Sequence, residues 1–287
     1  MLELMLPALV AALILVGIHG YLGLHVIARE VIFVDLALAQ VAALGWAAAG
    51  LGMAVPLEIL PGVGPEAAAY LTGLLATLVA AALLAVTRLD DLPVPQEAII
   101  GIVYVVASAA TILLAAQAPR GSEHVQELLT GSLLWVTWPT ILKTAAVYGA
   151  VGVVHWFLRD RFLTISMDPD RARREGWSLA WWDFLFYALF GVVVTSSVAI
   201  AGVLLVFTFL VIPAVIAFLF VRRPASLLAV AWATGSVATL AGLLVSYGTD
   251  LPTGPVVVCA FAAALALAFL VRSAGLVRRR PARGPDA

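Results

Sequence analysis

An aspartate in an apolar stretch is the first residue of this sequence that could do chemistry. Asp35 lies within residues 33–40, where most neighbours are aliphatic, and Gln40 closes the same stretch. A charged side chain at the centre of a membrane costs about 3 kcal/mol, so an ionisable residue there is a functional candidate by default. Gln40 lies about 140° around a helix from Asp35, so the two side chains flank one face. The structural alternatives for Asp35 are an ion pair with Arg29 and a hydrogen bond between packed helices.

Histidines supply the second set of candidates, because neutral imidazole is the commonest metal ligand in proteins. His19 lies inside the first apolar run, and its alternative role is packing. His25 and His155 lie near the charged ends of apolar runs, where we expect them to be solvated. Asp183 opens a further apolar run, and the positive end of the helix dipole is enough to explain a carboxylate there.

The charged loop 159–177 contains the start and stop signals of a short helix. Asp168 is a candidate N-cap residue, Pro169 takes the first helical position and Gly176 is a candidate C-terminal residue. Such a helix could dock on a partner protein. Alternatively, it could lie on the membrane, with its arginines bound to anionic lipid.

The elements that must position these residues are membrane-spanning helices. Of the 287 residues, 63% are hydrophobic and 11% are charged, against about 25% charged in a soluble domain. A span needs about 20 mostly apolar residues. Runs of that length occur near 5–27, 31–53, 66–87, 97–118, 139–158, 180–200, 202–221, 225–247 and 255–273. We therefore predict an all-α protein, a polytopic transmembrane helical bundle of about 8–9 spans. It forms a single domain over residues 1–273, followed by a basic tail, 274–287.

The stretch 180–221 contains about 40 apolar residues without a polar loop, which is enough for two spanning helices. The natural places for a bend are the polar residues 195–197 and Gly202. Pro213 removes one further backbone hydrogen bond within the second helix.

Positive charge is concentrated on one side of the predicted bundle. When the runs alternate across the bilayer, fourteen of the sixteen Lys and Arg residues fall on one side, and Arg120 and Lys143 fall on the other. The positive-inside rule makes the first side cytoplasmic. We expect the N-terminus outside, the C-terminus inside and a location in a bacterial or archaeal cytoplasmic (inner) membrane. Residues 1–27 lack a positive n-region and a cleavage site, so we expect a retained helix rather than a signal peptide.

The sequence lacks several common motifs of enzymes. It contains no G-x-x-x-x-G-K-[ST] nucleotide-binding loop, no H-E-x-x-H, no G-x-S-x-G and no C-x-x-C. Its single cysteine, Cys259, excludes an internal disulfide and a metal site built from cysteines. We therefore expect no enzyme activity, and any ATP hydrolysis by a nucleotide-binding loop must come from another chain.

Four segments of the sequence have the form of family signatures. The most specific is 202–214, which begins GVLLV and ends LVIPA. The other three are residues 97–103 (EAIIGIV), residues 246–254 (ending DLPTG) and residues 23–45. Together these segments resemble the permease subunits of ABC importers for zinc, manganese or iron, the ABC-3 family, and the resemblance extends from about residue 17 to residue 270.

This resemblance implies the membrane-spanning permease subunit of an ATP-binding-cassette importer, which moves a divalent metal ion into the cytoplasm. It implies a homodimer that receives the metal from an extracytoplasmic binding protein and docks two copies of a separate ATPase. The spacing of Asp168, Ala172 and Gly176 is similar to that of the family's coupling helix, the element that contacts the ATPase. The metal is cargo, so no cofactor is expected in this chain. The competing functions are a secondary transporter or channel driven by an ion gradient, and a scaffold or sensor subunit.

The metal-facing helix departs from the family pattern, which pairs aspartate and histidine four residues apart on one helix face. Aligned on Gly45, this chain has Gln40 at the histidine position and Leu36 at the aspartate position, so Asp35 is displaced by one residue. Aligned on Asp35 instead, it has Ala39 at the histidine position, so the histidine is missing in either alignment. A glutamine carbonyl is a harder ligand than imidazole. We expect Asp35 and Gln40 to line the transport pathway, with His19 supplying an imidazole from the neighbouring helix.

Overall fold

The apolar runs of the sequence form helices. The computed structural model describes residues 2–53, 64–87, 94–117, 131 and 133–275, and this part of the chain contains no β-strand. Its ten α-helices are α1 (Leu2–Ala28), α2 (Val34–Gly50), α3 (Pro65–Thr87), α4 (Gln96–Ala115), α5 (Trp138–Phe157), α6 (Arg159–Met167), α7 (Pro169–Arg174), α8 (Leu179–Phe220), α9 (Pro224–Thr249) and α10 (Thr253–Ser273). One turn of 3-10 helix, Leu133–Trp135, precedes α5. Arg120 and the tail from residue 276 lie outside the described residues.

Seven of these helices are long and apolar enough to cross a membrane, namely α1, α3, α4, α5, α8, α9 and α10. Helix α2 is apolar but shorter, at 17 residues. The predicted polytopic helical bundle is confirmed.

The 42-residue helix α8 is broken at Gly202, whose φ of 74° and ψ of 160° are not helical. The break divides α8 into two segments, 179–201 and 203–220, each close to the length that a span needs. Of the two predicted bends, the glycine is therefore the one that interrupts the helix. When α8 is counted as two segments, each of the nine predicted apolar runs corresponds to one helical segment of the described residues.

Helix α8 is the central element of the bundle. It packs against α1, α3, α9 and α10, and also against α2. Helix α2 packs in addition against α3 and α4, so its inner face is enclosed by three helices. Glycine permits a close crossing of α2 and α3, because a Cβ on Gly45 would lie 2.6 Å from the Cα of Gly73 on α3.

The outer surface of the bundle is apolar. Large aliphatic side chains on α4 are exposed, among them Ile102, Val105 and Val106, and so are Trp156 and Phe157 at the end of α5. Exposed apolar surface of this extent marks a membrane or protein contact. Together with the seven long apolar helices, it identifies a multi-pass membrane protein.

Candidate functional site

Asp35 lies in the first turn of α2 and is completely buried. Neither of its carboxylate oxygens has a hydrogen-bond partner among the described residues. The ion pair with Arg29 considered above does not form, because Arg29 instead lies 2.6 Å from Asp183. Beside Asp35, the backbone N–H of Phe33 donates to Glu97 Oε1 over 3.2 Å, which connects the start of α2 to α4. Asp35 is therefore a buried acid available to a ligand.

Gln40 is buried on the same helix as Asp35, and α2 packs against α3, α4 and α8. Both side chains thus lie inside the bundle rather than towards lipid. An amide offers a carbonyl oxygen and an NH₂ group, and a carboxylate offers two oxygens. The pair is a set of oxygen ligands suited to a hard or borderline cation.

His19 is buried on a different helix, α1. Its Nδ1 is 2.9 Å from the carbonyl oxygen of Leu15, one turn earlier on α1. A carbonyl only accepts, so Nδ1 carries the proton and Nε2 is left as an acceptor with no partner in the described part of the chain. The imidazole faces the ring of Tyr148 on α5, with centroids 6.4 Å apart. An orientation fixed through Nδ1–H, with Nε2 open, is the one that metal-binding histidines adopt.

A hydroxyl cluster surrounds Tyr148 at the middle of α8. The Tyr148 hydroxyl contacts Ser197 and also accepts a hydrogen bond from Ser196 over 3.4 Å. Nearby on α8, the Thr195 hydroxyl lies 3.3 Å from that of Thr77 on α3. The polar residues 195–197, considered above as a bend, therefore hold α3, α5 and α8 together, with His19 beside them.

Among the residues described, no three or more His, Cys, Asp or Glu side chains are grouped closely enough to hold a metal ion. No hydrogen bond joins the Nε2 of His19 to Asp35, since neither group has a partner. The candidate ligands of one protomer therefore lie on two helices, Asp35 and Gln40 on α2 and His19 on α1.

A cavity of about 630 Å³ lies between α1, α5, α6 and α9. Most of its lining is aliphatic, and its polar side chains include Tyr21, His25, Tyr148 and His155. Asp35 and Gln40 do not line it. The cavity is therefore separate from the acid on α2.

His25 and His155 are buried, and the expectation that water surrounds them was wrong. His25 Nδ1 lies 2.8 Å from Ser166 Oγ on α6, and the ring of His155 stacks on Phe162 of α6 with centroids 4.4 Å apart. Helix α6 covers both histidines. Their positions beside charged residues in the sequence do not reveal this cover.

The helix-dipole explanation for Asp183 is incomplete, because this carboxylate forms a buried ion pair with Arg29. Both side chains are fully buried. Arg29 also donates from Nε to Ser166 Oγ over 2.8 Å, and its guanidinium carbon lies 4.0 Å from the centroid of the Phe186 ring. The sequence contained a signal, an arginine directly after an apolar run, but its partner is 154 residues away.

The short helix in the loop 159–177 is confirmed as α7. The Asp168 carboxylate accepts from the backbone N–H of Arg171 over 3.1 Å, and Pro169 follows at the first position. At the other end Gly176 has φ +73°, and the N–H groups of Gly176 and Trp177 donate back to the carbonyls of Arg173 and Ala172. This pattern is the Schellman motif that ends helices at glycine.

Charged side chains of α7 are exposed and paired along the helix. Arg171 contacts Glu175 over 2.8 Å, and Arg173 contacts Asp170 over 2.7 Å. The hydrogen bond to Glu175 raises the pKa of Arg171, so this arginine stays charged. Ala172 is buried against the rest of the structure, which leaves the arginines on the outer face.

Comparison with known proteins places the chain in a family. The ABC 3 transport family matches residues 1–272. YfeD of Yersinia pestis, a chelated iron transport system membrane protein, is 27% identical over 165 residues, which are 58% of this chain and 55% of YfeD. The matched part thus spans just over half of that relative. MntC of Listeria innocua, a manganese transport system membrane protein, is 27% identical over 230 residues, 77% of this chain and 79% of MntC.

A solved structure shares the fold. PsaBC from Streptococcus pneumoniae, determined in complex with Fab, superposes with a TM-score of 0.73 at 22% identity over 93% of this chain and 91% of the other. Together with the family match over nearly the whole length, this similarity leads to one conclusion: the chain belongs to the ABC 3 transport family.

Proposed function

We propose that this chain is the membrane-spanning permease subunit of an ATP-binding-cassette importer that moves a divalent metal ion into the cytoplasm. Family membership and the transport names of its relatives support the proposal. The observation that carries it is α7, a helix of six residues closed by a cap at each end and exposed among arginines.

Helix α7 has the properties of a docking element. Its two caps fix a short helix that would not form alone in water. Its outer face presents Arg171, Arg173 and Arg174, so its contact surface on a partner should be acidic or polar. We assign Asp168, Ala172 and Gly176 to holding this helix in the shape that an ATPase subunit binds.

We place Asp35, Gln40 and His19, which lie on two helices of one protomer, along the proposed path of the metal ion. Asp35 and Gln40 offer oxygen atoms inside the bundle, and His19 offers an open imidazole nitrogen. Zinc, manganese and iron(II) all accept such ligands. A path of separated, incomplete sites suits transport, because an ion must leave each site as readily as it enters.

The remaining partners follow from this role. We propose a homodimer in a bacterial or archaeal cytoplasmic membrane, with the N-terminus outside and α7 inside. An extracytoplasmic binding protein delivers the metal, and a separate subunit hydrolyses ATP, since this sequence has no G-x-x-x-x-G-K-[ST] loop.

Uptake by the reconstituted complex tests the proposal. The chain is coexpressed with the proposed ATPase and binding protein and placed in liposomes, and uptake of Mn²⁺, Zn²⁺ and Fe²⁺ is measured. We expect uptake of one of these ions to require hydrolysable ATP and to stop with a non-hydrolysable analogue. Uptake that ignores ATP would contradict the proposal.

Charge reversal on α7 tests the docking surface. Arg174→Glu changes an exposed side chain at the end of α7, and we expect the amount of copurified ATPase to fall at least fivefold. Arg223→Glu, an exposed arginine before α9, is the matched control and should retain the ATPase. Equal retention by both variants would show that α7 is not the docking site.

The second candidate function is a secondary transporter or channel driven by an ion gradient. The buried, unpartnered carboxylate of Asp35 favours it, because intramembrane acids are common in ion-coupled transporters. Metal uptake driven by an imposed proton or sodium gradient, in liposomes without ATPase, would support this function in place of the first.

A further inference from the structure

We propose that four buried side chains, Arg29, Asp183, Ser166 and His25, transmit displacement of α7 to α1 and α8. We call them the Arg29 cluster. The inference rests on the proposed function and deepens it, because it names the residues that connect the ATPase-docking helix to the membrane-spanning helices.

Helix α7 has few contacts of its own with the bundle. It packs mainly against α6, which precedes it in the chain. Ser166, near the end of α6, is only two residues before Asp168, the N-cap residue of α7. A displacement of α7 therefore reaches Ser166 before it reaches other buried polar side chains.

Ser166 is bonded to the end of α1. Its Oγ accepts from Arg29 Nε over 2.8 Å and lies 2.8 Å from Nδ1 of His25. His25 is in the last turn of α1, and Arg29 directly follows that helix. One buried hydroxyl thus connects the arm formed by α6 and α7 to two side chains of α1.

Arg29 extends the connection to α8. Its Nη1 donates to Asp183 Oδ1 over 2.6 Å, and its guanidinium lies over Phe186, one turn further along α8. A guanidinium is planar and rigid, so its bonds to Ser166 and Asp183 hold a fixed spacing. Because both ionic side chains are fully buried, water cannot replace either bond without a large cost.

The covalent route runs through α5, which α6 follows at Leu158. The end of α5 exposes Trp156 and Phe157 but buries His155, whose ring stacks on Phe162 of α6 and whose Nδ1 lies 3.3 Å from the Tyr21 hydroxyl of α1. These contacts are between uncharged groups, whereas the Arg29 cluster contains a fully buried ion pair, which is the stronger and more directional connection. Movement through the Arg29 cluster reaches α1, which carries His19, and α8, which carries the break at Gly202.

The test compares two hydroxyl deletions on α6. Ser166→Ala removes the hydroxyl that joins α6 to α1, and Thr164→Ala, at a half-buried position two residues earlier, is the matched control. The complex of this chain with its ATPase and binding protein is reconstituted in liposomes. Mn²⁺ uptake, ATP hydrolysis, ATPase copurification and the unfolding temperature are measured for each variant.

We expect Ser166→Ala to lower the ratio of Mn²⁺ transported to ATP hydrolysed by about five- to tenfold, a typical coupling between sites. ATPase copurification and basal hydrolysis should match those of Thr164→Ala, while the unfolding temperature should be lower, because Arg29 Nε loses its buried hydrogen-bond partner. Asp183→Asn, which keeps the shape and removes the charge, should lower the same ratio. The double variant should be no worse than either single variant, since both break one connection.

Two results would overturn the inference alone. The first is an unchanged ratio in Ser166→Ala and Asp183→Asn. The second is a fall in the ratio that only parallels a loss of bound ATPase or of basal hydrolysis, which would mean that the cluster holds the complex together and does not couple its movements. A wild-type complex that neither binds an ATPase nor takes up Mn²⁺ with ATP would instead overturn the proposed function, and the inference with it.

Discussion

Asp35 holds a carboxylate inside the bundle without a hydrogen-bond partner in the described residues. Packing alone favours a neutral residue there, because burying an unpaired charged group costs several kcal/mol. Arg29, the nearest cation in sequence, is engaged by Asp183. The absence of a partner is consistent with the proposal that Asp35 contacts the transported ion.

Replacing Asp35 should lower metal uptake without lowering the stability of the protein. In Asp35→Asn the side chain keeps its size and loses its charge, so we expect metal uptake to fall at least tenfold while the unfolding temperature stays equal or rises. Uptake in cells and thermal unfolding in detergent check the two effects.

Glu97→Gln is the control, because its amide oxygen can still accept from the N–H of Phe33. It should leave uptake near the wild-type level. Unchanged uptake in Asp35→Asn would remove Asp35 from the pathway.

His25 and His155 are buried, although their positions near arginines predicted contact with water. His25 and His155 lie near arginines in sequence, and solvation followed from that proximity. In the structure, α6 folds back over both of them. Whether a polar residue at a helix end meets water depends on which element covers that end.

Among the helices, the break in α8 is in close contact with a second glycine, Gly131. A Cβ on Gly131, just before the 3-10 turn, would lie 2.1 Å from the carbonyl carbon of Ala201. The segment before α5 therefore packs directly against the broken backbone at Gly202. Breaks in membrane helices are tolerated where other protein covers the freed groups.

Gly131→Ala should consequently destabilise the protein. The added methyl clashes with the backbone of α8, and φ +68° is unfavourable for alanine. We expect a loss of about 2–4 kcal/mol in unfolding free energy, visible as a lower unfolding temperature. Gly101→Ala on α4, where nothing lies within 4 Å, should not lower it. Equal stability of the two variants would show that Gly131 does not need to be glycine.

At the scale of the whole molecule, the distribution of cations gives a testable orientation. Arg223 and Leu251 are exposed at opposite ends of α9. In a Cys259→Ser background, Leu251→Cys should react with a membrane-impermeant thiol reagent in spheroplasts. Arg223→Cys should react only after permeabilisation, because the positive-inside rule places it in the cytoplasm. The reverse pattern would invert the proposed topology.

The spanning helices and the caps of α7 could be predicted from the sequence, because they depend on average hydrophobicity or on residues close together in the chain. Runs of about 20 apolar residues predicted the spanning helices because lipid thickness sets their length. The caps of α7 were readable because Asp168, Pro169 and Gly176 act on backbone within a few residues. The preference for Gly202 over residues 195–197 as the break was open in the sequence and is settled by the backbone angles.

The meeting of distant polar groups depends on how the helices pack. The pairing of Arg29 with Asp183 and the cover of α6 over His25 could not be read from the sequence. Helical periodicity tells which residues share a face, but it does not tell which helix that face meets. In a membrane bundle this information is weakest, because apolar faces suit lipid and protein equally well.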